Sequence, residues 1–351
     1  MNEQLGNVNS FFIIGRPRSG TTLLSILFDA HPHVIMPGEC NFILALSQKY
    51  KNIKCFDSKT LLEFVADLKL TRNYSSLGIN PEQLKTNLEK LPVHATYIDF
   101  FKTVQCSSKS IFEKKDICYV GDKNPSYSNQ NFHRILELFP NAKYIHLVRD
   151  YHDHIASMLH AKFRMSSPTL IAIAWKHSLN ILAKYKKKYP ENFYTLRYED
   201  LVTNPEKTMI DVHAFLNLEY NPSIFDFYKK AEAYRASQPS IDFETFHKSL
   251  FKPIDKSRIG IWHTVLKGNQ LSSVEFVAGR IGKKYGYTSE PHRLSPKVIY
   301  LLITWQMFYL VVIVLRGFVT SLPINTRLKV VAIIKKNRFV KILYKFIAHN
   351  P

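Results

Sequence analysis

The sequence predicts an α/β fold, a parallel sheet flanked by helices, and two observations carry that prediction. Short apolar runs with β-branched or aromatic content recur at 11–15, 117–120, 142–148 and 193–198, and each is followed by a helical pattern. Alternation of strand and helix pairs the strands in parallel and covers both faces of the sheet. Composition allows it: 351 residues, 46% of them apolar, can bury a substantial core, and 12 Gly and 17 Pro exclude a fibrous or disordered chain.

The elements follow in order. Phe11 to Gly15 reads as a strand, Gly-Arg-Pro-Arg-Ser-Gly-Thr-Thr as a tight loop, and Leu23, Leu24, Leu27 and Phe28 as one face of a helix. Later helix starts share one device, a small polar residue able to cap followed by proline at the first helical position. Asn124-Pro125, Ser167-Pro168, Asn204-Pro205, Asn221-Pro222 and Ser295-Pro296 all have it. The device places Lys123 just before a helix and Tyr198 at the end of a strand. Both then fall at the carboxyl edge of the sheet, where open α/β folds bind ligands. The stretch 40–116 is mixed and helical in character, an insertion suited to building an acceptor pocket.

Charge divides the chain differently. The net charge is +20, and residues 291–351 hold ten Lys or Arg and no Asp or Glu. Interleaved Leu, Ile, Val, Phe and Tyr favour an anionic membrane over nucleic acid as partner of this tail. Val298 to Leu315 carries no charge, and Leu328 to Ile347 sets Phe339, Leu343 and Phe346 at helical spacing beside Lys335, Arg338, Lys341 and Lys345. The division expected is therefore a domain at 1–290 and a membrane-associating helical tail at 291–351. Residues 1–10 show no secretory pattern, so the expected place is cytoplasmic, peripheral or monotopic at the inner face of a membrane. Cys40, Cys55, Cys106 and Cys118 lack metal spacing and are too few to staple the chain, so reduced, mostly packed thiols are expected. His31, His33, His152 and His154 lack a ligand pattern as well, and capping or surface roles are expected of them.

Gly15 to Thr22 has the spacing of a phosphate-binding loop, two glycines five apart between strand and helix, so that backbone N–H groups and the helix end face an anion. The position after the second glycine is Thr21 where an NTP-hydrolysing loop has lysine, which speaks against a nucleotide kinase or NTPase; Arg16 and Arg18 supply the charge instead.

With these motifs the chain resembles, over about residues 11–290, the sulfotransferases that use 3′-phosphoadenosine 5′-phosphosulfate. Arg18-Ser19-Gly20-Thr21-Thr22 matches the loop for the 5′-phosphosulfate, and Asp29-Ala30-His31-Pro32 continuing to Glu39 is similar to the tyrosylprotein branch, where a glutamate at this distance is the catalytic base. Lys123 in Asp122-Lys123-Asn124-Pro125 falls on the lysine that steadies the transferring group, Arg149 and Ser157 on the pair for the 3′-phosphate, and Tyr198 in Tyr198-Glu199-Asp200 on the tyrosine near adenine. The late cofactor loop is partly present around Lys256, Ser257 and Arg258, with Gly260 and Trp262 matching and Asp255 and Ile261 departing. The histidine base of the cytosolic branch is replaced by Pro125, and its adenine-stacking tryptophan by Leu23.

The resemblance implies a P-loop, sulfotransferase-like fold, Glu39, Lys123 and Arg18 as catalytic residues, and no metal. The expected reaction moves a sulfuryl group to an acceptor hydroxyl, and the tail favours a hydrophobic or lipid-borne alcohol such as a sterol or glycolipid. Carbohydrate or tyrosyl sulfation is the alternative, and a P-loop kinase or a non-catalytic membrane-bound binding protein is the remaining one. Glu39 also reads as an ordinary loop carboxylate, and Arg149-Asp150 as a surface ion pair.

Overall fold

The computed structural model describes residues 6–128, 131–161, 167–230, 232–233, 250 and 252–322. A five-stranded parallel sheet, β1 (Asn9–Ile14), β2 (Val34–Ile35), β3 (Tyr119–Lys123), β4 (Lys143–Val148) and β5 (Phe193–Arg197), runs in the order β2-β3-β1-β4-β5. Four of these strands are the runs expected. The two-residue β2 has no run to announce it, and β3 ends three residues later than its apolar run because Gly121, Asp122 and Lys123 continue it while buried. The strand also ends at Arg197, so Tyr198 opens a helix rather than closing the strand.

Sidedness of β1 explains its unbroken apolar run. Phe11 and Ile13 face a core with Leu24, Leu27 and Phe28 of α1 (Thr21–Asp29). Leu201 of α9 (Tyr198–Thr203) and Met209 and Val212 of α10 (Pro205–Leu216) complete that layer. Phe12 faces the other way, within 4.8–6.1 Å of the rings of Phe101, Tyr127, Phe139 and Tyr144. A central parallel strand buried on both faces has no polar side to show.

Between β2 and β3 the chain forms α2 (Phe42–Tyr50), α3 (Ser58–Lys69), α4 (Pro81–Glu89) and α5 (Tyr97–Cys106), the helical insertion expected of 40–116. α6 (Phe132–Leu138) precedes β4, and α7 (Tyr151–His160) and α8 (Pro168–Lys188) follow it. The proline devices hold at Ser167 and Ser295, whose hydroxyls accept from the N–H of Leu170 and Val298, while Asn204 caps only through its position. Asn124-Pro125 starts a 3₁₀ turn, not an α-helix: the Asn124 side chain turns back onto the Ser126 N–H at 3.0 Å.

The chain forms two compact units, Met1–Val148 with Lys184–Lys256 and Arg149–Ala183 with Ser257–Pro351. The second contains α11 (Gly268–Val274), a π-helical turn at Glu275–Gly279, α12 (Arg280–Lys284) and α13 (Pro296–Ser321). α13 buries Val298 and Val312 and exposes Ile303, Met307, Val314 and Phe318 by about 60% or more each. Within Pro296–Val319 a window of 18 residues has a mean hydropathy of 2.4, and this is the one described helix long and apolar enough to cross a membrane. The second tail segment, 328–347, lies outside the described residues. The four cysteines are free thiols, three of them at least half-buried.

The histidines depart from their expected surface and capping roles. His31, His152 and His154 are buried. His31 Nε2 meets the Glu219 carbonyl at 2.9 Å, and burial pushes its pKa down to about 4. Among the described residues no group of three His, Cys, Asp or Glu is placed to hold a metal ion.

Candidate functional site

In the first unit the site grows from the carboxyl end of β1. Ile14 ends the strand, and the loop bends with Arg18 at φ 70° and Gly20 at φ 94°, both in the left-handed region that favours glycine. Gly20 is the residue before α1, and no side chain caps that helix, so its first N–H groups point where an anion can meet them. The Tyr198 ring lies directly on Gly20: a Cβ there would come within 2.4 Å of it. Ser19 and Thr21 are buried, while Arg16, Arg18 and Thr22 are partly exposed along the loop.

Lys123 ends β3 in register with Ile13 of β1, which sets its side chain beside the loop. Its ammonium pairs with the Glu39 carboxylate and lies 3.4 Å from the Thr22 hydroxyl. Glu39 and Lys123 are 84 residues apart in sequence, and the pair is sheltered, with 7% of the lysine side chain and 35% of the glutamate exposed. Glu39 is therefore more than a solvated loop carboxylate.

Three neighbours to which the motifs assign no role shape this corner. The Asp29 carboxylate accepts from the Met36 N–H at 3.1 Å and from the Ser110 hydroxyl at 2.8 Å, and pairs with Lys114 at 3.4 Å, which ties down the segment leading from β2 to Glu39. Ser76, on the 3₁₀ turn Tyr74–Leu77 of the insertion, donates to the Glu39 carbonyl at 2.9 Å. Asp122 is buried beside Lys123, accepting from Tyr127 and from Gln105 at 3.4 Å; burial drives its pKa up to about 7 against those hydrogen bonds. Asp122 stands inside the quoted lysine motif, but Ser76 had no local signal.

In the second unit, Arg149 directly follows β4 and is buried, not a surface ion pair. Its Nη2 donates to the Arg258 carbonyl at 2.6 Å, and its own carbonyl accepts from Trp175 Nε1 at 3.3 Å. Asp150 serves as the cap of α7, accepting from the His152 N–H at 2.8 Å. Ser157 is buried on α7, and Asp153, one turn before it, accepts from the N–H groups of Gly260 and Trp262. The spacing 149, 153, 157 is the signal that could have drawn attention to Asp153.

His152 bridges Asp150 at 2.8 Å and Glu275 at 2.5 Å; burial opposes its charge, but these two carboxylates outweigh it and raise its pKa to about 9. Of the late loop, Ser257 is exposed and Arg258 partly so. Lys256, which belongs to the first unit, is exposed.

A profile of the sulfotransferase family matches residues 10–222. The protein-tyrosine sulfotransferase of Drosophila melanogaster is 23% identical over 282 residues, 76% of this chain and 49% of that protein. The omega-hydroxy-beta-dihydromenaquinone-9 sulfotransferase of Mycobacterium tuberculosis is 28% identical over 196 residues, 50% of this chain and 44% of that protein. This chain spans about half the length of the curated relatives it matches. Among solved structures, the sulfotransferase domain of the Synechococcus PCC 7002 olefin synthase superposes with a TM-score of 0.55 at 20% identity, covering 81% of this chain and 97% of that domain, a likeness of fold. The profile covers more than half of the sequence, and the chain belongs to the sulfotransferase family.

Proposed function

We propose that this member of the sulfotransferase family transfers a sulfuryl group from 3′-phosphoadenosine 5′-phosphosulfate to the hydroxyl of a hydrophobic or lipid-borne alcohol. The observation that carries the reading is the sheltered Glu39–Lys123 pair beside Thr22 at the end of the phosphate loop. The loop fits the donor's 5′ end: Gly20, at a left-handed φ, makes the bend and gives room to the Tyr198 ring, and Arg16, Arg18, Ser19, Thr21 and Thr22 line the loop at the uncapped start of α1. When bound, the donor supplies the sulfuryl group and a phosphate leaving group.

The protein's part is positioning and charge. Glu39 takes the proton of the acceptor hydroxyl, directly or through one water. Lys123, Arg18 and the loop N–H groups stabilise the negative charge that grows on the departing oxygen. Base and cation already touch in the ion pair, so proton removal and charge stabilisation are adjacent from the start. The motif order assigns the 3′-phosphate to Arg149 and Ser157, the adenine side to Tyr198, and further donor contacts to Lys256, Ser257 and Arg258.

The acceptor reading rests on α13. Its uncharged stretch, Val298 to Leu315, is about 27 Å long at 1.5 Å per residue, close to a hydrocarbon core of about 30 Å, and little of it is buried. A helix that exposes so much apolar surface in water is costly, and a membrane removes the cost. An enzyme held there meets alcohols that partition into lipid at high local concentration, and the basic residues of 323–351 favour an anionic surface.

A peptide tyrosine is the second reading, favoured by the Asp29-to-Glu39 spacing and by the tyrosine-acting relatives. Incubation with labelled donor and a panel of sterol, glycolipid, sugar and tyrosyl-peptide acceptors tests both. Sulfated lipid supports the first reading, sulfated peptide the second, and magnesium-dependent ATP hydrolysis without sulfated product would overturn both.

A further inference from the structure

Arg149 and the first turn of α7 grip the loop that follows Ser257 through three residues. Asp153 Oδ2 accepts the Gly260 N–H at 2.8 Å and its Oδ1 accepts the Trp262 N–H at 3.1 Å. Arg149 Nη2 holds the Arg258 carbonyl at 2.6 Å. The His152 ring stacks on the Trp262 indole with centroids 4.4 Å apart, and it is fixed from behind by Asp150 and Glu275. Gly260, at φ 78°, makes the bend that lets two N–H groups converge on one carboxylate.

The position of Asp153 makes this grip informative. It lies four residues after Arg149 and four before Ser157, all three buried, so a carboxylate sits between the two residues assigned to the 3′-phosphate. An uncommitted carboxylate there would repel that phosphate. Both oxygens are instead engaged by amide hydrogens of the loop; burial pushes the Asp153 carboxyl above its ordinary pKa, and these two N–H groups and the Arg149 charge pull against that rise.

We propose that Asp153 is a positioning residue of the 3′-phosphate subsite, fixing the loop Ser257–Trp262 so that Arg258 and Arg149 are presented together to the phosphate. The inference rests on the donor reading above and adds to it a residue that touches neither donor nor acceptor. A loop held by its main chain keeps Arg258 in place whatever its neighbours Ser257 and Ile259 do. Replacing the carboxylate frees the loop while leaving Arg149 and Ser157 unchanged in sequence.

The test uses the full chain as Asp153→Asn, Asp153→Ala and Arg149→Ala. Amide exchange is followed at Gly260 and Trp262. Binding of adenosine 3′,5′-bisphosphate and of adenosine 5′-monophosphate is measured by calorimetry, with thermal melts alongside. In Asp153→Asn, which keeps the side-chain volume and one acceptor, exchange at the two amides should rise tenfold or more. The preference for the bisphosphate should fall tenfold or more, and affinity for the monophosphate should change less than threefold. Faster exchange with an unchanged preference would leave Asp153 a structural residue and overturn the proposal, as would unchanged exchange. Loss of both nucleotides in equal proportion would overturn it too. A wild-type protein without preference, and an Arg149→Ala variant without effect, would instead overturn the donor reading, while the exchange arm still judges the grip on the loop. Should Asp153→Ala not fold, Asp153→Asn decides alone.

Discussion

Removing the charge of Glu39 while keeping its shape separates chemistry from binding. In Glu39→Gln the amide still fills the corner, and Ser76 still holds the main chain through the Glu39 carbonyl. Lys123, with 7% of its side chain exposed, loses its charged partner. At an effective dielectric of about 20, a contact pair at about 4 Å attracts by roughly 4 kcal/mol before desolvation is subtracted. The glutamate is 35% exposed, so water already screens part of that attraction, and a net cost of about 1–3 kcal/mol is expected from stranding the lysine. Turnover should fall about a hundredfold or more, because a general base acts in the transition state. Donor affinity should stay nearly intact. Adding Lys123→Met should recover part of the stability but none of the turnover, since it removes the stranded charge and, on the proposed mechanism, the cation that steadies the transferring group. The assay is labelled sulfate transfer at saturating acceptor, with donor binding and melts measured on the same samples. Near-normal turnover in Glu39→Gln would refute the assignment of the base.

Three further outcomes are expected. Gly20→Ala should cost about 2 kcal/mol or more, since the left-handed backbone alone costs an alanine roughly 1–2 kcal/mol and its Cβ would lie 2.4 Å from the Tyr198 ring; an unchanged melt would refute the fit of ring on loop. Stability should fall on acidification from about pH 6.5 toward 4. Burial holds the pKa values of His31, His146 and His213 low, His31 at about 4, so the unfolded chain binds protons there that the folded chain refuses. Asp122, raised to about 7 by burial, and Asp29 and Asp153, also raised by burial, work the other way; the three histidines already refuse protons at the top of the window, and a urea midpoint that rises from pH 6.5 to 5 would refute the balance. Finally, Ile303→Glu, Met307→Glu and Val314→Glu together, all on the exposed side of α13, should abolish flotation with anionic liposomes while leaving the melt near wild type; a wild-type chain that does not float refutes the membrane reading.

The reach of the sequence is set by which signals are local. β1 and β4 were legible because strands buried on both faces are continuous apolar runs, and Phe12 packs against four rings on the side opposite Phe11. β2 was not, because two residues carry no periodicity. The end of β3 was misjudged for a different reason: Asp122 and Lys123 are charged yet buried, and what permits it is long-range, Gln105 from α5 for one and Glu39 for the other. Likewise Asn124-Pro125 has the form of a helix start, but the Asn124 side chain closes a local turn, and α6 begins only at Phe132.

The same distinction runs through the site. Arg18, Lys123, Glu39 and Tyr198 were legible as motif positions, and the fold then adds what no motif states: Tyr198 on Gly20, and Lys123 on Glu39. Groups that face a ligand recur in short fixed patterns because the ligand's shape dictates them. Groups that hold those groups in place answer to the fold around them, so Ser76 beneath Glu39 carries no pattern of its own, and Asp153 beneath the late loop shows only its helical spacing from Arg149 and Ser157. Both donate to or accept from main chain rather than side chain, and a main-chain partner leaves no residue type at the other end to be read. That is why Glu39 and Lys123 could be named from the sequence while their supports had to be found in the structure.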